Sequence, residues 1–310
     1  MIKRTLYFGN ASHLSQKHGQ LVIRLSAIDG NPSLAESLPA QGITTIPIED
    51  IGVMIIDNPQ VTLTSHLISE LLANNVALVM CNQQHMPTGL MLNLSGNQLQ
   101  SAKFRSQLDA SLPILKNLWQ QTIRAKIQNQ ARLLTSLGIE AGNLSRWAED
   151  VKSGDPDNLE ARAAAYYWKN LFPDVSGFIR ERDGIPPNDL LNYTYAILRA
   201  IVARSLVGSG LLPIYGIHHH NQYNHYCLAD DIMEPYRPFA DNLVRGIVHG
   251  GQTPDLNTDT KRTLLAIASQ DTRIDGRTSP LMVAVQRTTA SLVECFEGTA
   301  RKLLYGELPL

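Results

Sequence analysis

The chain has 310 residues, 44% of them apolar and 18% charged, a globular composition with material for two unequal domains and no sign of bulk disorder. Its formal net charge of −1 excludes a globally basic protein, so any nucleic-acid role must rest on a local patch. The three cysteines, Cys81, Cys227 and Cys295, form no CxxC pair, which excludes a disulfide framework or a zinc ribbon; no run reaches the roughly 18 apolar residues of a membrane helix and no apolar leader is read at the N-terminus, so the expected setting is the cytoplasm, without membrane contact.

The first 95 residues read as strands and turns. TLYFG at 5–9 and QLVIRLS at 20–26 are short apolar or alternating runs. TTIPIEDIGVMIID at 44–57 is rich in β-branched residues and crosses a turn-like Glu49-Asp50. HLISELLANN at 66–75 predicts a short amphipathic helix, VALVMCN at 76–82 a buried strand, and GLMLNLSGN at 89–97 closes the region. From about residue 99 the period becomes helical: Phe104, Leu108, Leu112, Leu115, Trp119, Ile123 and Ile127 recur at spacings of three and four, with Pro113 expected to bend or interrupt the run. Further helices are expected at 159–171, 188–209, 230–249 and 278–305, with loops at 151–158 and 250–259. No internal repeat stands out. The domains are drawn at 1–95, β-rich, and 96–310, helical.

Between residues 101 and 147, seven basic residues (Lys103, Arg105, Lys116, Arg124, Lys126, Arg132, Arg146) meet two acidic ones (Asp109, Glu140), a local excess of +5. Such a segment fits a phosphate-tracking surface or a merely solvated helix face, and charge alone leaves both readings open. The densest polar stretch is GIHHHNQYNHYCLADDIMEPYRPFAD at 216–241. Asp231 and Glu234 stand three apart, which a helix places on one face, and the segment from His219 can fold back so that imidazole and carboxylate share one ion. An exposed polar turn at the histidines and a helix N-cap at Asp230-Asp231 are the bland alternatives. In SGDPDNLEARAAAYYW at 153–168, Asp155-Pro156 reads as an N-cap with proline at the first helical position, and Glu160 falls in the second turn among small alanines. Taken alone, Glu160 reads as a surface glutamate near a helix start. Tyr193 and Tyr195 read as helix-packing aromatics in preference to a stacking groove. The chain contains no phosphate-binding G-x-x-x-x-G-K-S/T loop, G-x-G-x-x-G fingerprint or G-x-S-x-G elbow.

In this order the segments resemble the catalytic integrase of CRISPR adaptation, also described as the CRISPR-associated endonuclease, in the versions that accompany type II systems. IPIEDIGVMIIDNPQVTLT and LLANNVALVMCNQQHMPTGLMLNL are similar to the family's β-domain, and LWQQTIRAKIQNQARLL to its first long helix. GDPDNLEARAAAYYW resembles the segment that supplies one metal ligand, here Glu160; GIHHHNQYNHYCLADDIMEPYRPFAD resembles the one that supplies His219 and Glu234, with Asp231 as a supporting acid behind them. Many members carry aspartate where this chain has Glu234, and the type II members resemble it in using glutamate. The resemblance implies an α+β protein: an N-terminal β-sandwich-like domain and a larger all-α catalytic domain. It implies Mg²⁺ or Mn²⁺, a homodimer formed mainly through the N-terminal domains, and a 4:2 complex with a small ferredoxin-like subunit. Double-stranded DNA with 3′ overhangs and CRISPR repeat DNA would be its substrates, with a type II effector nuclease and an accessory protein as further partners. Arg124, Lys126, Arg132 and Arg237 are candidate phosphate contacts. A non-catalytic DNA-binding scaffold of the same shape is the competing expectation, and a small-molecule metallohydrolase a third.

Overall fold

The computed structural model describes residues 3–25, 43–248 and 254–309. The chain divides into two compact units, Met1–Gly96 and Asn97–Leu310.

The first unit contains β1 (Arg4–Phe8), β2 (Ser12–Lys17), β3 (Gln20–Leu25), β4 (Ile43–Pro47), β5 (Ile51–Ile56), β6 (Thr62–Leu63), α1 (Ser65–Ala73), β7 (Ala77–Cys81) and β8 (Pro87–Met91). They form two four-stranded sheets, ordered β1-β5-β7-β8 and β4-β3-β2-β6. In the first, β1, β5 and β7 run parallel and β8 returns antiparallel. Glu49-Asp50 sit in a 3-10 turn, and there the chain crosses from β4 in the second sheet to β5 in the first. Phe8, Met54, Ile56 and Leu78 of one sheet, Leu14, Leu21 and Ile46 of the other, and Leu67 and Leu71 of α1 make one apolar core. At about 25 cal/mol per Å² of apolar surface, this burial is the main stabilising term of the unit. The polar sequence SHLSQK gave no strand signal, yet β2 forms, because Ser12 and Leu14 turn inward while β3 and β6 pair with both edges. The last residue of the expected strand 20–26 lies outside the described residues.

The second unit is built from α2 (Gln100–Leu108), α3 (Leu112–Ser136), α4 (Gly142–Asp150), α5 (Leu159–Leu171), α6 (Asn188–Ser209), α7 (Cys227–Met233), α8 (Arg237–Ile247), α9 (Thr258–Leu265) and α10 (Leu281–Phe296). The expected bounds 159–171 and 188–209 are met. The run is interrupted at Pro113, as expected: α2 ends at Leu108 and α3 restarts with Pro113 in its first turn, so Leu108 and Leu112 of the stripe are exposed and the buried face of α3 begins at Leu118. Other expectations are corrected. The single helix expected at 230–249 is three pieces, because Pro235 and Pro238 remove backbone donors and a 3-10 turn, Glu234–Tyr236, joins α7 to α8. Residue 249 and part of the 250–259 loop lie outside the described residues, and α9 already begins at Thr258.

The unit is mostly, not wholly, helical. β9 (Asp271–Ile274) and β10 (Arg277–Pro280) form an antiparallel hairpin where the sequence reading assigned nothing before the helix expected from 278, and α10 spans Leu281–Phe296 inside the expected 278–305. Asp275 and Gly276 turn it with φ of 50° and 73°, the left-handed pair that an Asp-Gly hairpin turn needs. No helix among the described residues is long and apolar enough to cross a membrane. The 25-residue α3 is the spine of the unit, packed against α4, α5, α8 and the 3-10 turn, while α6 packs against α7, α8 and α10.

Candidate active site

Three segments meet beside α3. Glu160 stands in the first turn of α5, not the second as the sequence reading had it. Asn158, with φ of 51°, precedes the helix, and the Asp155 carboxylate reaches forward to accept the backbone N–H groups of Leu159 at 2.9 Å and Glu160 at 3.0 Å. Two orphan donors of the helix start are thereby satisfied, and the backbone carrying Glu160 is fixed. Glu234 opens the 3-10 turn between α7 and α8. That turn is clamped from α3, where Asn129 Nδ2 donates to the carbonyls of Pro235 at 2.7 Å and Gly306 at 2.9 Å.

The two carboxylates converge on one cation. Lys126 Nζ, on α3, lies 2.7 Å from Glu160 Oε1 and 2.7 Å from Glu234 Oε2. The second contact is ionic only, since Glu234 Oε2 is buried without an aligned hydrogen bond. Arg237 NH2 holds the other oxygen, Glu234 Oε1, at 3.0 Å. Burial pushes the Glu234 carboxyl up, but the Arg237 guanidinium and the Lys126 ammonium outweigh it and hold it below the usual carboxylate range. Burial pulls Lys126 down, and Glu234 and Glu160 more than restore it, so it stays above the ordinary lysine value.

His219 faces the same cluster. Its Nδ1 lies 2.5 Å from Asp231 Oδ1, and with the proton assigned to Nδ1 the Nε2 lone pair points away from the acid. Asp231 is fully buried, and its Oδ2 accepts the backbone N–H groups of Ile217 at 2.8 Å and His218 at 3.0 Å. The hydrogen bond to Asp231 raises the His219 imidazole above its ordinary value, and Glu234 and Glu160 add to the rise. Trp119, two helical turns before Lys126, stacks on His218 at 4.0 Å and meets His219 edge-on at 5.6 Å. A Cβ on Gly216 would collide with the His219 carbonyl and with Asp231, so this loop closes only with glycine there.

The structure thus brings Glu160, Glu234, His219 and Asp231 together. Asp230 is separate, paired with Arg199 Nε at 2.6 Å, and sits inside α7 instead of capping it. The four basic candidates divide. Lys126, which is buried, and Arg237, which is half-buried, belong to the carboxylate cluster, where each is paired with Glu160 or Glu234. Arg124 donates to the backbone carbonyls of Ala148 and Glu149, and Arg132 pairs with Glu307 at 2.8 Å. Tyr193 and Tyr195 are buried packing residues; Tyr195 OH and Tyr167 OH both donate to the buried Asp241.

Sequence reasoning missed Lys126 as the hub and Trp119 as the platform under the histidines. Their spacing of seven puts both on the buried face of one helix, and of that helix's buried residues Lys126 alone is basic. Among the described residues, no three His, Cys, Asp or Glu side chains already stand close enough to hold a metal ion. The donor set itself fits one: two carboxylates that already share a cation, one with a buried oxygen short of a hydrogen bond, and an imidazole fixed through Nδ1.

The family model described as CRISPR associated protein Cas1 matches residues 7–274. The chain belongs to the Cas1 family. The CRISPR-associated endonuclease Cas1 of Neisseria meningitidis serogroup C is 35% identical to it over 294 residues, 94% of this chain and 91% of that one. The fold is that of a casposase bound to its integration product, with a TM-score of 0.75, 18% identity, and 98% and 92% of the two chains covered. It is also found in a Cas6-RT-Cas1–Cas2 complex, with a TM-score of 0.70 and 18% identity, all of this Cas1 family chain matching 36% of that longer one.

Proposed function

We propose that this Cas1 family member is a divalent-metal-dependent DNA integrase and endonuclease of CRISPR adaptation. In this reading a DNA 3′-hydroxyl attacks a repeat phosphodiester, and water in its place gives nuclease activity. The observation that carries the proposal is the convergence of Glu160 and Glu234 on one cation position, 2.7 Å from each, with His219 fixed beside them by Asp231.

Glu160, His219 and Glu234 would hold Mg²⁺ or Mn²⁺. The ion would polarise the attacked phosphate and offset the charge that develops on it. The chain's own residues prepare that step. Glu160 and Glu234 supply anionic oxygens from two rigidly anchored helix starts. His219 presents Nε2 because Asp231 holds the Nδ1 proton, the arrangement that keeps a ligating imidazole in one tautomer. Trp119 limits the rotation of the histidine pair. Exposure rises from Glu234 at 6% through Lys126 at 11% and Glu160 at 25% to His219 at 44%, so DNA approaches from the His219 side.

The reading extends to assembly. A homodimer, a 4:2 complex with a small ferredoxin-like subunit and contacts with a type II effector nuclease and accessory protein are proposed on family membership, as is a cytoplasmic location. The neighbour solved together with Cas2 supports the kind of partner. Three free cysteines accord with a reducing compartment. The competing scaffold reading draws on one observation, that Lys126 stands where the carboxylates meet. A strand-transfer assay with Mg²⁺ or Mn²⁺ separates the two. Product from the wild type and none from His219→Ala is expected; equal product from both would sink the site. A gel shift with splayed-end duplex at low salt, where phosphate contacts are strongest, tests DNA binding itself.

A further inference from the structure

The Lys126 ammonium lies between the two carboxylates assigned as metal ligands, 2.7 Å from each. A divalent ion bound by the same oxygens would have to share that space, and two cations at such a separation repel strongly in a buried site. The local charge makes the conflict sharper. Glu160 and Glu234 are balanced by Lys126 and Arg237, so the four groups sum to zero before any ion enters. Arg237 is held twice: its guanidinium lies 4.8 Å from the Tyr195 ring centre, a cation–π contact that adds to its ion pair with Glu234. Lys126 is the mobile one, with a single ammonium on a four-carbon stem. The most exposed member of the cluster is His219, at 44%, and on that side a phosphate can reach the released ammonium.

We propose that Lys126 is an exchange residue: it neutralises Glu160 and Glu234 until the divalent ion displaces it, and the released ammonium then pairs with a phosphate of the incoming DNA. This rests on the metal reading of the site and names how the site is loaded. Ion and DNA then bind cooperatively, since each removes a cost from the other: the ion frees the ammonium, and the phosphate gives it a partner. Lys126 is a positioning residue in this scheme and not a metal ligand.

The first test uses the wild-type protein. Amine-reactive labelling followed by mass spectrometry of the Lys126 peptide is measured with and without Mg²⁺. Protection without the ion and increased labelling with it are expected; labelling that Mg²⁺ leaves unchanged, while Mg²⁺ binding is seen calorimetrically, overturns the exchange and leaves the metal site standing. The second test compares Mn²⁺ affinity by electron paramagnetic resonance in wild type and Lys126→Met. Removal of the competing ammonium is expected to tighten Mn²⁺ binding on the order of tenfold in the absence of DNA, and to abolish the gain that DNA confers on the wild type. Equal or weaker Mn²⁺ binding by a folded Lys126→Met overturns the exchange. A wild type that binds neither ion overturns the metal reading and the exchange together.

Discussion

The two units bury their side chains to opposite ends. In the first, apolar side chains fill the core shared by the sheets and α1, with the small Ser12 hydroxyl turned inward beside Leu14, and the buried Asp57 stands outside the apolar cluster, accepting Tyr7 OH at 2.6 Å and contacting His85 at 2.9 Å. In the second, Lys126, Asp231, Glu234 and Asp241 lie within the helical packing itself. Burying a charge costs several kcal/mol before its partners repay it, and apolar residues of the same volume often give a more stable fold. A unit that retains such groups near one another is organised around what they do together. The first unit is organised around stability, and substitutions in the two should separate accordingly.

The widest separation is expected at Glu234. Glu234→Ala removes a proposed anionic ligand and leaves Lys126 and the half-buried Arg237 with one carboxylate between them. Strand transfer should fall about a thousandfold, the equivalent of several kcal/mol of transition-state stabilisation, and unfolding in urea should lose about 3–5 kcal/mol. In the first unit, Met54→Ala empties part of the shared core and should cost about 2–5 kcal/mol in the same urea titration. Its Mn²⁺ affinity, measured on the folded fraction, should equal wild type. A loss of Mn²⁺ binding in Met54→Ala would break the comparison.

Asp241 sharpens it through pH. Burial raises this carboxyl to about 6 from an ordinary value of 3.8, more than the hydrogen bonds from Tyr195 and Tyr167 lower it. A folded-state pKa above the unfolded one gives stability that is complete below about 4 and lost as pH rises through about 6. A rise of that size corresponds to about 3 kcal/mol at most. Asp241→Asn cannot ionise, so the difference in unfolding free energy between wild type and variant should change by that order between pH 4 and pH 7. A pH-independent difference would mean that the carboxyl titrates normally in the fold.

Asp231→Asn is expected to be milder. Asparagine is close in shape, but it is neutral and does not enforce the His219 tautomer, which should lower strand transfer about 10–100-fold and weaken Mn²⁺ binding in proportion. Activity that falls while Mn²⁺ affinity holds would place Asp231 in the chemistry instead of in ligand orientation.

Much of this contrast is legible in the amino-acid sequence. The β-branched runs gave β5 and β7, the alternation gave β3, and the helical period gave α5 and α6 to the residue. What escaped was whatever depends on partners distant in sequence. β2 is polar and becomes a strand because β3 and β6 flank it. The β9–β10 hairpin carried an Asp-Gly signal that too few apolar neighbours supported. At the site, Glu160 alone read as a surface residue, because nothing near residue 160 in the sequence shows that α3 brings Lys126 and α8 brings Arg237 to the same place. The basic residues were read by their sign of charge, and burial, which sign does not report, decided the role of Lys126.

The smallest effect tests how finely that site is held. Asp155 was expected to cap α5 as the residue just before a first-turn proline; instead the helix starts at Leu159, and the carboxylate caps from four and five residues away. Asp155→Ala should cost about 1 kcal/mol, the usual worth of an N-cap, measured by thermal or urea unfolding. The second unit adds a consequence that a cap in the first would not have. One of the two bonds goes to the backbone N–H of Glu160, so fraying this turn moves a carboxylate that must meet Glu234 within a few tenths of an ångström. Asp155→Asn, which keeps a side-chain acceptor, should recover most of both losses. If Asp155→Ala lowers stability and leaves strand transfer and Mn²⁺ affinity at wild-type values, the first turn of α5 is held by its packing against α3 and α4, and the cap serves the helix alone.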